Sequence, residues 1–182
     1  MRISSWHGVL LGVLVLGSLG CRDSLVYVPP PGLPTLPGTR LVPEPLATAW
    51  AILETQAGPH GFVLQGQEPA ARLLTFTYTG PPDRYVTCGE IVSAGLPPLQ
   101  LHSQIHLLVT AESATQTRLM TTVQYTLTPT APQPRAGDAE APLPAEPITF
   151  TSGQVGQGRW DAILLICKPT GVLEQEVFAL VP

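Results

Sequence analysis

A period-two alternation of apolar residues with threonine constrains the fold of this chain more than any other feature. Between 72 and 79, Leu74, Phe76 and Tyr78 alternate with threonines, and the stretch 118–128 repeats the pattern. Successive side chains of a β-strand point to opposite faces of its sheet, so such a strand is apolar on one face and polar on the other. This alternation is typical of antiparallel sheets that bury one face. The sequence therefore predicts half-buried antiparallel strands.

Shorter segments with the same period, or with a short apolar run, predict the remaining strands. These segments are 62–65, 85–92, 104–110, 148–151 and 162–167. Residues 111–117 are few enough to form a hairpin loop between the two strands that flank them.

Two helices are predicted at the ends of this strand-rich region. The first covers 45–57, because proline suits the first turn of a helix and glycine, here Gly58, commonly follows the last turn. The second follows Thr170, which can cap it. Each helix has an apolar stripe at helical spacing. The stripes consist of Leu46, Trp50 and Leu53 in the first helix and of Leu173, Val177 and Leu180 in the second.

The order helix, strands, helix predicts an α+β fold. We expect a two-layer domain in which an antiparallel sheet carries the N-terminal and C-terminal helices on one face. A β-sandwich is the alternative, because most of the middle of the chain is predicted to be strand.

The first twenty residues have the composition of an export signal. Arg2 precedes a short apolar run, and the small-residue stretch 17–20 follows it. A positive start, an apolar middle and small residues before a cleavage site define a secretory signal peptide. The apolar run, residues 8–20, is too short to span a bilayer, which needs about 20 residues. We therefore expect residues 1–20 to be removed.

The four residues Ser18-Leu19-Gly20-Cys21 resemble the lipobox of bacterial lipoproteins. They depart from the usual pattern, which has an aliphatic residue where Ser18 stands and a small residue where Leu19 stands. The resemblance implies that Cys21 accepts a lipid and anchors the protein to a membrane. Arg22 stands where lipoproteins retained in the inner membrane typically carry Asp, which implies the outer membrane. The alternative is ordinary secretion with Cys21 left as a free thiol.

If Cys21 carries a lipid, Cys88 and Cys167 are left as a pair. In an oxidising compartment such a pair usually forms a disulfide. Two free buried thiols are the alternative. A zinc site is disfavoured, because neither cysteine has a second Cys or His two to four residues away. The sequence thus predicts lipidation at Cys21 and a bridge between Cys88 and Cys167.

Two proline-rich stretches divide the chain. Residues 21–44 predict an extended tether that holds the domain away from the membrane, since closely spaced prolines favour polyproline II. The alternative is that this stretch lies along the domain surface. Residues 45–182 form a single domain, within which 129–147 is predicted to be a disordered loop.

The combination of lipid cysteine, proline-rich segment and helix-plus-sheet domain is similar to small accessory lipoproteins of the Gram-negative envelope. The stretches 85–89 and 167–174 resemble the signature of an uncharacterised lipoprotein group. The resemblance implies a non-catalytic, structural or assembly protein that faces the periplasm and has a protein partner. A periplasmic binding module for a small apolar or peptide ligand is the first alternative, and a hydrolase is the second.

The chain contains no residue set that points to catalysis, a cofactor or a metal. His102 and His106 are four apart in a predicted strand, which separates their Cα atoms by about 13 Å and prevents them from chelating one ion. Glu90 lies on the apolar side of its predicted strand, unless Gly89 forms a bulge. The net charge of −4 and the absence of a basic run argue against nucleic-acid binding.

Overall fold

The computed structural model describes residues 26–32, 38–92, 98–130, 146–160 and 163–182, with residue 160 described by its main chain alone. The predicted signal peptide, Cys21 and most of the predicted loop at 129–147 lie outside these residues.

Strands dominate the described residues, and two short α-helices accompany them. The strands are β1 Val26–Val28, β2 Thr39–Val42, β3 Val63–Glu68, β4 Leu73–Gly80, β5 Val86–Thr87, β6 Glu90–Val92, β7 Leu99–Ala111, β8 Thr117–Pro129, β9 Ile148–Thr151, β10 Gly156–Trp160 and β11 Ile163–Pro169. The helices are α1 Leu46–Gln56 and α2 Val172–Phe178, and a 3₁₀ turn follows α1 at Gly58–His60. All the strand pairs are antiparallel. The prediction of an α+β fold with mainly antiparallel strands is confirmed.

The main sheet is built around the long hairpin of β7 and β8. Its strand order is β2-β8-β7-β4-β3, and β9 also pairs with β8. The hairpin closes where Ala111 lies opposite Thr117, as the predicted loop at 111–117 requires. β2 and β9 pair with opposite ends of β8, at 117–120 and 124–127 respectively.

One face of the main sheet forms the core. Alternate residues of β7 and β8, including Leu101, Ile105 and Val123, have no solvent exposure. The helix α1 contacts β7 and α2 contacts β8. Their buried residues join the same apolar core as those of the sheet. Because the other face carries polar side chains, the alternation seen in the sequence divides the sheet into a core side and a solvent side.

A second, smaller sheet covers part of this core. Its strand order is β10-β11-β5. β10 crosses close over β9, where a Cβ at Gly156 or Gly158 would overlap the side chains of Phe150 and Ile148. The sequence analysis predicts no strand between 151 and 162, so β10 is a strand that the prediction missed.

The strand predicted at 85–92 is interrupted in the structure. Gly89 has a φ of 76°, in the left-handed region that glycine adopts without strain, and it separates β5 from β6. The break reverses the alternation, so that Cys88 is buried whereas Glu90 is exposed. The break at Gly89, which separates strands of two different sheets, therefore explains why Glu90 needs no buried partner.

Parts of the segment predicted as a tether form strands of the domain. β1 pairs with β6 and β2 pairs with β8. Val42 is buried in the main core. These two parts lie along the domain, as in the alternative considered for this segment.

Candidate functional site

Cys88 and Cys167 are joined by a disulfide bond. Thr87 of β5 is paired with Lys168 of β11. Cys88 follows Thr87 and Cys167 precedes Lys168, so the two cysteines face one another. The sulfur atoms are 2.10 Å apart, and the Cα atoms are 4.0 Å apart, slightly below the usual range, which begins at about 4.4 Å. Cys88 is 5% exposed and Cys167 is fully buried. The predicted bridge is confirmed.

A short N-terminal arm, residues 26–32, is fastened beside this disulfide. The Tyr27 hydroxyl lies 2.7 Å from the carbonyl oxygen of Cys88 and 3.0 Å from that of Ile166, and it accepts a hydrogen bond from the Ile166 N–H at 2.9 Å. The Lys168 ammonium lies 3.5 Å from the carbonyl oxygen of Pro30. One aromatic side chain thus ties the arm to the backbone of Cys88 and to the residue before Cys167.

Gly89 completes the contact between the arm and the disulfide. A Cβ on this residue would overlap the carbonyl oxygen of Val28 and the backbone of Pro29. The position therefore requires glycine for two reasons, the positive φ and the close approach of the arm.

A second cluster of polar groups is buried between α2 and the main sheet. Glu174 is 5% exposed, and its Oε1 accepts a hydrogen bond from the Ser152 hydroxyl at 2.8 Å. Ser152 also accepts a hydrogen bond from the Val123 N–H at 2.9 Å. Glu174 Oε2 and the hydroxyls of Tyr125 and Ser103 make no hydrogen bond to any described residue. This cluster fastens the first turn of α2 to β8 and leaves several oxygen atoms unpaired.

Tyr125 lies at the centre of this buried cluster. Its ring stacks on Phe150 at a centroid distance of 5.3 Å. Burial, and then the negative charge of Glu174, raise the pKa of the Tyr125 hydroxyl above its ordinary value near 10. The tyrosine therefore stays protonated in the folded protein at alkaline pH values that would ionise a free tyrosine.

A third polar contact joins the loop before β5 to α2. The Tyr85 hydroxyl donates to Glu176 Oε2 at 2.8 Å, and Arg84 Nη2 lies 2.5 Å from Glu176 Oε1. The rings of Tyr85 and Tyr78 pack in a T-shaped arrangement, and their centroids are 4.9 Å apart. Burial, followed by the hydrogen bond to Glu176, raises the pKa of Tyr85. Like the contact of Glu174 with Ser152, this one holds α2 in place.

The outward side of the main sheet is polar and uncharged over most of its area. We call it the open face. Its polar residues are Thr75, Thr77, Thr79, Gln100, His102, Gln104, His106, Thr122, Gln124, Thr126, Thr128 and Thr149, and the same side also carries the apolar Leu73, Leu108 and Met120. Several pair across strands: Nδ1 of His102 lies 3.0 Å from Thr79 Oγ1, and Nδ1 of His106 lies 3.4 Å from Thr75 Oγ1. The two histidines thus sit in separate pairs.

A shallow depression lies between α1 and the loop that joins β3 to β4. It has a volume of about 270 Å³ and is lined by Leu46, Ala47, Trp50, Pro69 and Arg72. Ligand pockets usually occupy about 300–1,000 Å³ and enclose most of the ligand. A binding module of the kind considered from the sequence would use a cleft between α1 and the strands, and this depression between α1 and the β3–β4 loop is smaller than that range.

The structure brings together only one of the residue sets that the sequence singled out, the cysteine pair. Within the described ranges, no group of three His, Cys, Asp or Glu side chains could hold a metal ion. Sequence reasoning missed the buried role of Glu174, although this residue directly follows Leu173 of the predicted apolar stripe. It also missed the pairing of β1, for which Tyr27 was the available signal, as an aromatic residue in a proline-rich stretch.

No family model matches this chain, and neither a curated protein nor a solved structure matches it. In the part of the chain that the structure describes, no helix has both the length and the apolar character needed to cross a membrane.

Proposed function

We propose that the protein is a lipid-anchored accessory protein of the bacterial cell envelope, without catalytic activity, whose domain faces the periplasm and binds another protein. The use of the cysteines carries this proposal. Cys88 and Cys167 are bonded to each other, so Cys21 is the remaining cysteine of the three. Cys21 also stands where an export signal ends, which suits a lipid acceptor.

The disulfide itself supports an exported protein. Disulfide bonds form and persist in oxidising compartments such as the bacterial periplasm, and they are rare in the cytosol. The bridge joins residues that are 79 apart in the sequence. A bond that closes so long a loop restricts the unfolded chain strongly, which makes it useful to a protein outside the cell.

The polar contacts of the domain support a structural role. Ser152 with Glu174, and Tyr85 with Glu176, fasten α2 to the rest of the domain. The open face offers the partner a broad, uncharged surface, and charged residues are depleted at the centre of protein interfaces. We also infer that the domain is a two-layer unit, in which both helices lie on the buried side of the main sheet.

Lipidation can be tested with radiolabelled palmitate. The wild-type protein should take up the label and fractionate with membranes, and Cys21→Ser should abolish the label and release the protein. As a matched control, Ser18→Leu combined with Leu19→Ser restores the usual order of the lipobox and should retain or increase labelling. A Cys21→Ser protein that stays with membranes would contradict lipid anchoring.

The partner can be sought from the open face in living cells. A photoreactive benzoylphenylalanine at Gln104, in the middle of β7, should crosslink to a discrete protein. The same probe at Glu112, in the β7–β8 turn, should give little crosslinking. Equal, diffuse crosslinking from both positions would count against the open face as the binding surface.

A further inference from the structure

The pair of strands β1 and β6, here called the N-terminal ribbon, carries three valines and the exposed Glu90 on its outer face. Val26 lies opposite Val92, and Val28 lies opposite Glu90. The three valines are 55%, 47% and 44% exposed in the order Val26, Val28, Val92. The inner side of the ribbon carries Tyr27, whose hydroxyl is bonded beside the disulfide, and the buried Ile91. Three neighbouring valines are therefore held outward on a ribbon whose other side is fastened to the domain.

The ribbon lies very near the residue that would carry the lipid. Val26 is the fifth residue after Cys21. A fully extended chain advances at most about 3.6 Å per residue, so the two Cα atoms are at most about 18 Å apart. The polar layer on each side of a bilayer is about 5–8 Å thick. While Tyr27 keeps β1 in place, the ribbon cannot move far from a membrane that holds Cys21.

The open face lies on the side of the domain opposite the ribbon. Tyr27 is bonded to the backbone of β11. β11 contributes Leu165 and Cys167 to the core that the main sheet buries. The ribbon thus adjoins the layer opposite the open face. A membrane under the ribbon leaves the open face accessible to the periplasm.

From these observations we propose that the outer face of the N-terminal ribbon, formed by Val26, Val28 and Val92, rests on the phospholipid surface that anchors Cys21. The proposal rests on the proposed lipid anchor. The free energy of the system falls when exposed apolar side chains leave water. The short connection to the lipid keeps the bilayer close to the ribbon, which acts as a high effective concentration. The lipid and the ribbon together then fix the orientation of the domain, which a lipid on a long flexible linker would not do.

Photocrosslinking from the ribbon tests this contact. Benzoylphenylalanine at Val92 should form adducts with phospholipid, detected as added lipid mass in the protein that partitions into detergent. The matched control is Val63 on β3, which is 57% exposed and belongs to the main sheet. We expect several-fold more lipid adduct from position 92 than from position 63. Equal yields, or protein adducts in place of lipid at position 92, would overturn the proposal.

A second arm separates this proposal from the proposed function. Cys21 in the purified mature protein can be coupled through its thiol to a maleimide lipid in vesicles of phosphatidylethanolamine and phosphatidylglycerol, because the other two cysteines are bonded to each other. The difference between positions 92 and 63 should persist there even if cells do not lipidate Cys21. Its absence in these vesicles refutes the ribbon contact, whereas a failure of palmitate labelling in cells refutes only the anchor.

Discussion

Two features of the structure at residue 89 exclude any side chain larger than that of glycine. The φ of Gly89 is 76°, and a Cβ would overlap backbone atoms of the N-terminal arm. Gly153 has nearly the same φ, 75°, but open space around it. The two positions therefore separate the cost of the backbone conformation from the cost of the close approach.

We expect Gly89→Ala to destabilise the domain more than Gly153→Ala does. An alanine in the left-handed region costs about 1–2 kcal/mol, which is all that Gly153→Ala should lose. Gly89→Ala should lose that amount and also displace β1, because its methyl group meets main-chain atoms that cannot rotate away. Urea unfolding of both variants measures the difference. Equal losses would mean that the arm does not approach residue 89 closely.

Tyr125 and Tyr85 predict a loss of stability at alkaline pH. Folding raises the pKa of both hydroxyls, so the folded protein holds these protons more tightly than the unfolded chain. Their stabilising contribution is complete below about pH 10, the unfolded value, and is lost as the pH rises above it, by about 1.4 kcal/mol per pH unit for each group.

Tyr125→Phe removes one of the two hydroxyls. Above about pH 10 the variant should therefore lose about 1.4 kcal/mol less of its free energy of unfolding per pH unit than the wild type. Near neutral pH the change should be small, because the hydroxyl makes no hydrogen bond and the ring can still stack on Phe150. Urea unfolding at about pH 8 and at about pH 11 checks both expectations. If the variant loses as much stability as the wild type between these two pH values, Tyr125 does not hold its proton as described.

At the scale of elements, β1 depends on a single side chain for its attachment to the disulfide. Tyr27→Phe leaves the Cys88 carbonyl and the Ile166 N–H without their partner. The loss should be about 1–3 kcal/mol, since buried polar groups are left unpaired. Amide hydrogen exchange should increase at Ile166 and in β1. Tyr125→Phe is the control, because it removes a hydroxyl that is unpaired already, and unchanged exchange in the Tyr27 variant would contradict the role of this contact.

The disulfide should contribute about 4 kcal/mol, because it closes a long loop of the unfolded chain. Replacing both Cys88 and Cys167 by alanine should lower the melting temperature by roughly 10–20 °C and make the C-terminal helix more sensitive to protease. Cys21→Ser, which leaves the bridge intact, is the control and should melt like the wild type. A double variant with an unchanged melting temperature would show that the bridge adds no stability.

The elements with strong local patterns could be predicted from the sequence. The first helix, predicted at 45–57, spans Leu46–Gln56, and the alternating stretches became β4 and β8. β1 and β2 were missed because their partners, β6 and β8, lie more than sixty residues away, and apart from Tyr27 the local signal is mainly proline content. The disulfide followed from counting cysteines. The unpaired oxygens around Glu174 could not be predicted, because they depend on how α2 packs against β8 in space.

At the scale of the whole molecule, the domain has two unlike sides. The open face is a broad, largely polar surface, whereas the N-terminal ribbon presents three exposed valines, of which Val26 lies within about 18 Å of the proposed lipid site. A protein anchored in this way has one side for the membrane and the other for a partner. Its orientation then follows from the fold, without a long spacer.

The contacts of Tyr27 also set an order of events in time. In the proposed export the chain crosses from its N-terminus, so residues 26–28 would reach the periplasm before most of the domain. Their partners come later, since β6 begins at Glu90 and the hydroxyl of Tyr27 binds the backbone of Ile166. The first described strand to leave the cytoplasm is thus among the last to find its place. Until residue 166 has followed, Tyr27 lacks its bonds to β11, so β1 is not yet fully fastened beside the disulfide.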